Sequence, residues 1–200
     1  MRARGAAAVV LALGLVLAIS SCARDSGGAA DGGAAPAGSL DGPVEPASAG
    51  DTEGQVPRGE VRIFFPSADA SGLVAEGREI FVTRTPGDRI KQIVADLLSG
   101  PTGERALPAV PPGTRLRQAY VVADGVAYLD FSSELTTLSG GSTTEMLTVF
   151  AIVDSVIANV PEVRKVGLLV EGAPIETLNG HMDLRRPLPG DWTLVIPASI

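Results

Sequence analysis

The sequence predicts an α+β fold: a single domain in which a mixed or antiparallel β-sheet carries two principal helices on one face, in the order β-β-α-β-β-α-β-β. Three observations lead there. Two segments, near residues 85–100 and 142–160, place apolar residues at helical spacing behind capping signals. Asp124-Gly125 sits between two β-rich runs, a strong hairpin signal. The other β-rich runs are short and bounded by Gly and Pro.

Val61 to Pro66 is an apolar, aromatic run stopped by proline, and reads as the first strand. Arg78 to Arg84 alternates and reads as the second, with a turn at Ser67–Gly72 between them. That turn has too few acids, at the wrong spacing, for a calcium loop. The first helix follows. Thr85 caps it, Pro86 takes its first position and Asp88 completes a box-like start. Ile90, Ile93, Val94, Leu97 and Leu98 form one apolar face for the core, and Gly100-Pro101 ends it.

Leu107 to Thr114 is a proline-rich loop. A two-residue turn at Asp124-Gly125 predicts that Val122 pairs with Ala127 and Tyr120 with Leu129. Those four residues and Phe131 then face the core, with Val121 and Tyr128 on the other face. In the second helix, Ser142 and Glu145 have the spacing of a capping box. Met146, Phe150, Val153, Ile157 and Val160 line one face, and Leu147, Val149, Ile152 and Val156 broaden it, which predicts a largely buried helix. Val163 to Gly172 is a strand, and Asp191 to Ile196 (DWTLVI) closes the domain as a short edge strand.

The N-terminal part is organised differently. Arg2 and Arg4 precede an uncharged run from Ala6 to Ile19, the layout of a secretory signal and short for a membrane span. Ile19-Ser20-Ser21-Cys22 resembles a bacterial lipobox. The resemblance implies diacylglyceryl attachment to the Cys22 thiol and cleavage before it, leaving Cys22 as a lipidated N-terminus. The alternative is a chance cysteine in a plain signal peptide or N-terminal anchor. Cys22 is the only cysteine, so no internal disulfide can form.

Domain boundaries follow: a lipoprotein signal over 1–21, a lipidated Cys22 with an acidic tether to residue 57, and a folded domain over 58–200. The tether is rich in Gly, Ala, Pro and Ser, has no aromatic residue, and sets six acids against Arg24. Such a composition cannot offset its ordering entropy. As a coil it would span roughly 30–35 Å, and stretched at most about 120 Å. Loss of Arg2 and Arg4 with the signal takes the formal charge from −7 to −9. An acidic chain without a basic stripe argues against nucleic acid as a partner. The expected partners are the membrane, through lipid on Cys22, and an envelope protein or peptidoglycan, at the outer side of the cell membrane. Arginine far outnumbers lysine and Ala, Gly and Pro abound, a composition like that of GC-rich genomes such as the actinobacteria.

Residues 61 to 186 resemble the GerMN domain of sporulation and spore-germination proteins. The resemblance is carried by Val61–Pro66, Leu98–Pro101, Val110–Thr114, Asp124–Ser132, Gly141-Ser142 with Glu145, Ala151–Val153, Val170–Gly172 and Gly180–Asp183. It implies an α/β fold and an extracytoplasmic place, and it brings no family-wide catalytic residues.

No cofactor, metal or catalytic residue is expected from the sequence. His181 is the only histidine, too few for a zinc site, and no G-x-S-x-G elbow accompanies it. Asp130, Glu145, Glu171 and Asp183 are the acids from which a carboxylate pair could be drawn, as in a cell-wall hydrolase or an activator of one. The leading expectation is a binding or scaffolding module.

Overall fold

The computed structural model describes residues 57–197. The signal, Cys22 and the tether up to residue 56 lie outside the described residues. The α+β expectation holds, with the strands divided between two sheets rather than gathered in one.

Strands β1 (Arg58–Pro66) and β2 (Leu73–Phe81) form an antiparallel hairpin with Pro66 opposite Leu73 and Arg58 opposite Phe81. Strand β2 thus begins five residues before the alternating run read from sequence. The turn between them folds around Asp69, whose Oδ1 accepts from the Ser67 hydroxyl at 2.7 Å and the Ser71 hydroxyl at 2.8 Å. Helix α1 (Pro86–Ser99) starts as the sequence indicates. The Thr85 hydroxyl accepts from the Asp88 amide at 3.1 Å and donates to the Asp88 carboxylate at 2.7 Å. Gly100 follows with φ 86°, a left-handed value that glycine takes without steric cost. Ile90, Ile93, Val94 and Leu97 are buried, each a contribution of about 1.5–3 kcal/mol.

The second sheet has the order β3-β4-β5-β6, from β3 (Leu116–Val122), β4 (Val126–Phe131), β5 (Lys165–Val170) and β6 (Ala173–Pro174). Between β4 and β5 come a 3₁₀ turn, Ser133–Thr137, and helix α2 (Ser142–Ile157), so that β4 and β5 run parallel. Every residue of α2 from Leu147 to Val156 is buried. The helix contacts both β1 and β5 and so joins the two sheets into one core.

Three expectations are corrected. The β3–β4 loop has three residues, not two: Val122 pairs with Val126, Val121 with Ala127, and Ala119 with Leu129. The Gly125 amide donates to the Val122 carbonyl at 3.0 Å with φ 78° at Gly125, so the glycine serves a turn-plus-bulge loop instead of a type I′ turn. A one-residue slip reverses a strand's faces. Ala119 and Val121 therefore pack on the core, while Tyr120 and Val122 are exposed. The β4 residues Ala127, Leu129 and Phe131 face inward as expected.

The capping box at α2 does not form. The N-cap is Gly141, Ser142 is the first helical residue, and Glu145 falls one position past the box. Finally, Asp191–Ile196 is not a strand. Asp191 caps a 3₁₀ turn, Trp192–Leu194, by accepting from the Thr193 amide at 3.1 Å. Only Val195 makes a β-bridge, with Leu73. The last strand is instead the two-residue β6, which turns back on β5.

Candidate functional site

The acids singled out in the sequence are brought together only in part, and each is engaged. Arg117 donates to Asp130 at 3.1 Å and lies 3.1 Å from Glu171, tying those two carboxylates to one guanidinium. Asp130 also accepts from the Gly172 amide at 2.8 Å, and Glu171 from the Ser133 amide at 3.0 Å. Asp183 is chelated by Arg185, whose bonds hold it well below the usual carboxylate range. Glu145 is fully buried on α2. It accepts from the Leu178 amide at 2.9 Å, the His181 amide at 2.8 Å and the Thr177 hydroxyl.

Burial pushes Glu145 up, but those donors outweigh it and hold its pKa at about 2. Its Oε2 lies 3.2 Å from His181 Nδ1. The half-exposed imidazole is thereby oriented from beneath by a buried carboxylate. Among the described residues no three of His, Asp and Glu converge so as to hold a metal ion.

Among the open surfaces of the described residues are a groove and a sheet edge. The first is a groove of about 310 Å³ beside the start of α2, walled by Pro66, Leu107, Val110 and Pro111 and edged by the Ser139 and Thr144 side chains. None of the acids discussed above, nor His181, lines it.

The second is a sheet edge. On β1, the residues whose backbone turns away from β2 are met by α2. The Ser155 hydroxyl accepts from the Phe64 amide at 2.9 Å, and Asn159 accepts from the Arg62 amide at 3.0 Å and donates to its carbonyl at 2.7 Å. An amide side chain here occupies the place of a neighbouring strand. Gln92 of α1 repeats the device on β2, accepting from the Phe81 amide at 2.8 Å and donating to its carbonyl at 3.0 Å. At the other end of β2 the Ile196 amide donates to the Leu73 carbonyl at 2.8 Å.

Because an antiparallel strand turns every second residue outward, Ala75, Gly77 and Glu79 direct their backbone groups the same way as Leu73 and Phe81. Among the described residues no backbone group pairs with those three amides. The edge of β2 is thus met at both ends, while its middle has no backbone partner; there the Gly77 carbonyl accepts from the Arg78 guanidinium at 3.2 Å. Sequence reasoning passed over Gln92, Ser155 and Asn159. The available signal was a polar side chain at the margin of an apolar helical face.

No helix among the described residues is long and apolar enough to cross a membrane. The family model named Germane, described as sporulation and spore germination, matches residues 62–176. Among solved structures, the tandem GerMN domains of the sporulation protein GerM from Bacillus subtilis align with a TM-score of 0.52 and 18% identity. The alignment covers 66% of this chain and 46% of that one. The first GerMN domain of the same protein aligns at 0.49 and 16% identity, over 66% of this chain and 95% of that one. A Clostridium perfringens protein provisionally assigned as a lipoprotein aligns at 0.49 and 22% identity, over 66% of this chain and 87% of that one. No curated protein matches the chain.

Proposed function

The chain belongs to the Germane family of sporulation and spore germination domains, and from that membership we propose that it is a lipid-anchored binding module of the cell envelope. Cys22 carries the lipid, residues 23–57 form the tether, and the domain that follows takes a partner by strand addition at the middle of the β2 edge. The observation that carries the reading is that edge. Ala75, Gly77 and Glu79 offer outward amides, and among the described residues the Arg78 guanidinium is all that meets an outward carbonyl of the three, while Leu73 and Phe81 at the two ends are already bonded. Main-chain pairing would supply affinity, and the side chains flanking the edge specificity. The partner is an extended segment of an envelope protein. Its attachment to the outer face of the membrane follows from Cys22: two or three acyl chains hold a protein firmly where one does so marginally.

Two experiments test the halves separately. Radiolabelled palmitate enters the wild-type chain in cells and fails to enter Cys22→Ala, which also leaves the membrane fraction; label persisting in the variant removes the anchor. For the edge, a photo-crosslinking residue at exposed Glu79 captures a partner in intact cells. Gly77→Pro abolishes capture without loss of folding, because the amide it removes points away from β1. Capture unchanged by that proline places the partner elsewhere.

A further inference from the structure

Residues 190–196 run over α2, β1 and β2 as a strap, with Leu194 and Val195 partly buried against the core. Gly190 fits closely: a Cβ there would lie 3.0 Å from Asp154 Oδ1 and 3.0 Å from the Trp192 ring. Trp192 tilts against Phe64 with ring centroids 6.1 Å apart. The Leu194 carbonyl lies over Gly72, where a Cβ would come within 2.5 Å of it. Ile196 donates to the Leu73 carbonyl, and Val195 bridges Leu73. The remaining tie is electrostatic. Asp154, fully buried in α2, accepts from the Asp191 amide at 3.0 Å through Oδ1. Its Oδ2 is buried with no hydrogen-bond partner among the described residues.

We propose that the strap is a pH-gated cover over the Leu73 end of the β2 edge, with the buried side chain of Asp154 as its gate. An ionised carboxylate in that place buries a charge with one oxygen facing no donor; the neutral acid leaves that oxygen unpaired but removes the buried charge, the larger cost. Burial raises the Asp154 pKa to about 6; the Asp191 amide opposes the rise and the Asp191 charge adds to it. Of the charged groups on the elements packed against α2, Arg58, Glu60 and Arg62 of β1, Asp88 and Lys91 of α1 and Lys165 of β5 are exposed, and Arg89 and Asp96 of α1 are half-buried. The charge that acts on Asp154 is that of Asp191 on the strap itself.

When the strap lifts, Asp154 meets water and returns to the usual value of 3.8. The closed form therefore holds its proton between the two values. Its advantage is complete below the lower one and is lost as pH rises through the higher. Acid closes the strap and neutral pH loosens it. With these two values the opening constant grows about tenfold from pH 5 to pH 7.5. What the uncovered edge receives rests on the strand-addition reading above; the movement of the strap does not.

Two readouts on the full chain in detergent test it without any partner. Trp192 is the only tryptophan, so acrylamide quenching reports the strap alone. Hydrogen exchange of the Ile196 amide, corrected for intrinsic rate, reports the bond to Leu73. The expected result is an approximately tenfold loss of Ile196 protection between pH 5 and pH 7.5, with a parallel rise in quenching. Asp154→Asn abolishes both changes. Asp191→Asn keeps them but moves the midpoint to lower pH, and this second variant decides the matter if the first does not fold. Protection independent of pH in the wild type, an equal fall in Asp154→Asn, or an unmoved midpoint in Asp191→Asn each overturns the gate. Loss of pH-dependent opening with the Glu79 crosslink intact would sink the strap while leaving the edge reading standing.

Discussion

The buried carboxylate of Glu145 accepts the His181 amide at 2.8 Å and lies 3.2 Å from the Nδ1 of the same residue, so one acid on α2 fixes both the backbone and the ring of a loop 36 residues away. Its pKa, depressed to about 2 from 4.5, means that it stabilises the fold fully above the unfolded value and ceases to do so as pH falls through the folded one. Glu145→Ala leaves the Leu178 and His181 amides without an acceptor. The expected loss is about 3–5 kcal/mol at pH 7. Urea unfolding as a function of pH checks it: the gap between wild type and variant should narrow steadily from pH 4.5 downward, and a gap independent of pH would exclude an ionised Glu145.

The hairpin register is testable with two neighbouring valines. Val121 packs against the core and Val122 is exposed. Val121→Asp should cost about 2–3 kcal/mol by burying an unpaired charge, and Val122→Asp should stay within about 0.5 kcal/mol. Thermal melts in which Val122→Asp is the more damaging would restore the two-residue turn.

The two helix starts should respond unlike each other. Thr85→Ala removes a formed cap and should cost about 0.5–2 kcal/mol. Ser142→Ala touches no side-chain cap bond and should fall within about 0.5 kcal/mol. Equal losses in chemical denaturation would show that Ser142 caps α2 after all.

Gln92 and Asn159 act on opposite strands of the hairpin. Each replacement by alanine should cost about 1 kcal/mol, and the double variant should sum the two, since the side chains share no partner. Both should also raise the tendency to associate, because each bares a strand edge. Sedimentation velocity on the single variants reads this directly. Monomers at every concentration would show that the amides serve stability alone.

The sequence was legible where the signal was local. Thr85 and Asp88 mark the start of α1 and Gly100 its end, each by a signal read within its own turn, and the structure places them as expected. It misled where one residue type fits two geometries. Asp124-Gly125 suits both a two-residue and a three-residue loop, and only the inward packing of Val121 selects between them. Ser142 and Glu145 match a capping box by spacing, but the burial of Glu145 against residues 177–181 is a tertiary fact that no local window contains. The same holds for the β2 edge. Its open middle is defined by what Gln92 and Ile196 do at its ends, from 11 and 123 positions away.

The satisfaction of β1 by α2 sets an order on how the chain can fold. The Phe64 amide finds its acceptor 91 residues downstream in Ser155, and Arg62 finds its own 97 residues downstream in Asn159. A nascent chain emerges from its N-terminal side, so the first hairpin exists for a long interval with one flank bare and apolar Phe64 and Phe65 beside it. Closing so long a loop is slow, and an unpaired flank invites association while it waits. Chains interrupted before residue 155 should therefore be sticky, where chains completed through Asn159 are not.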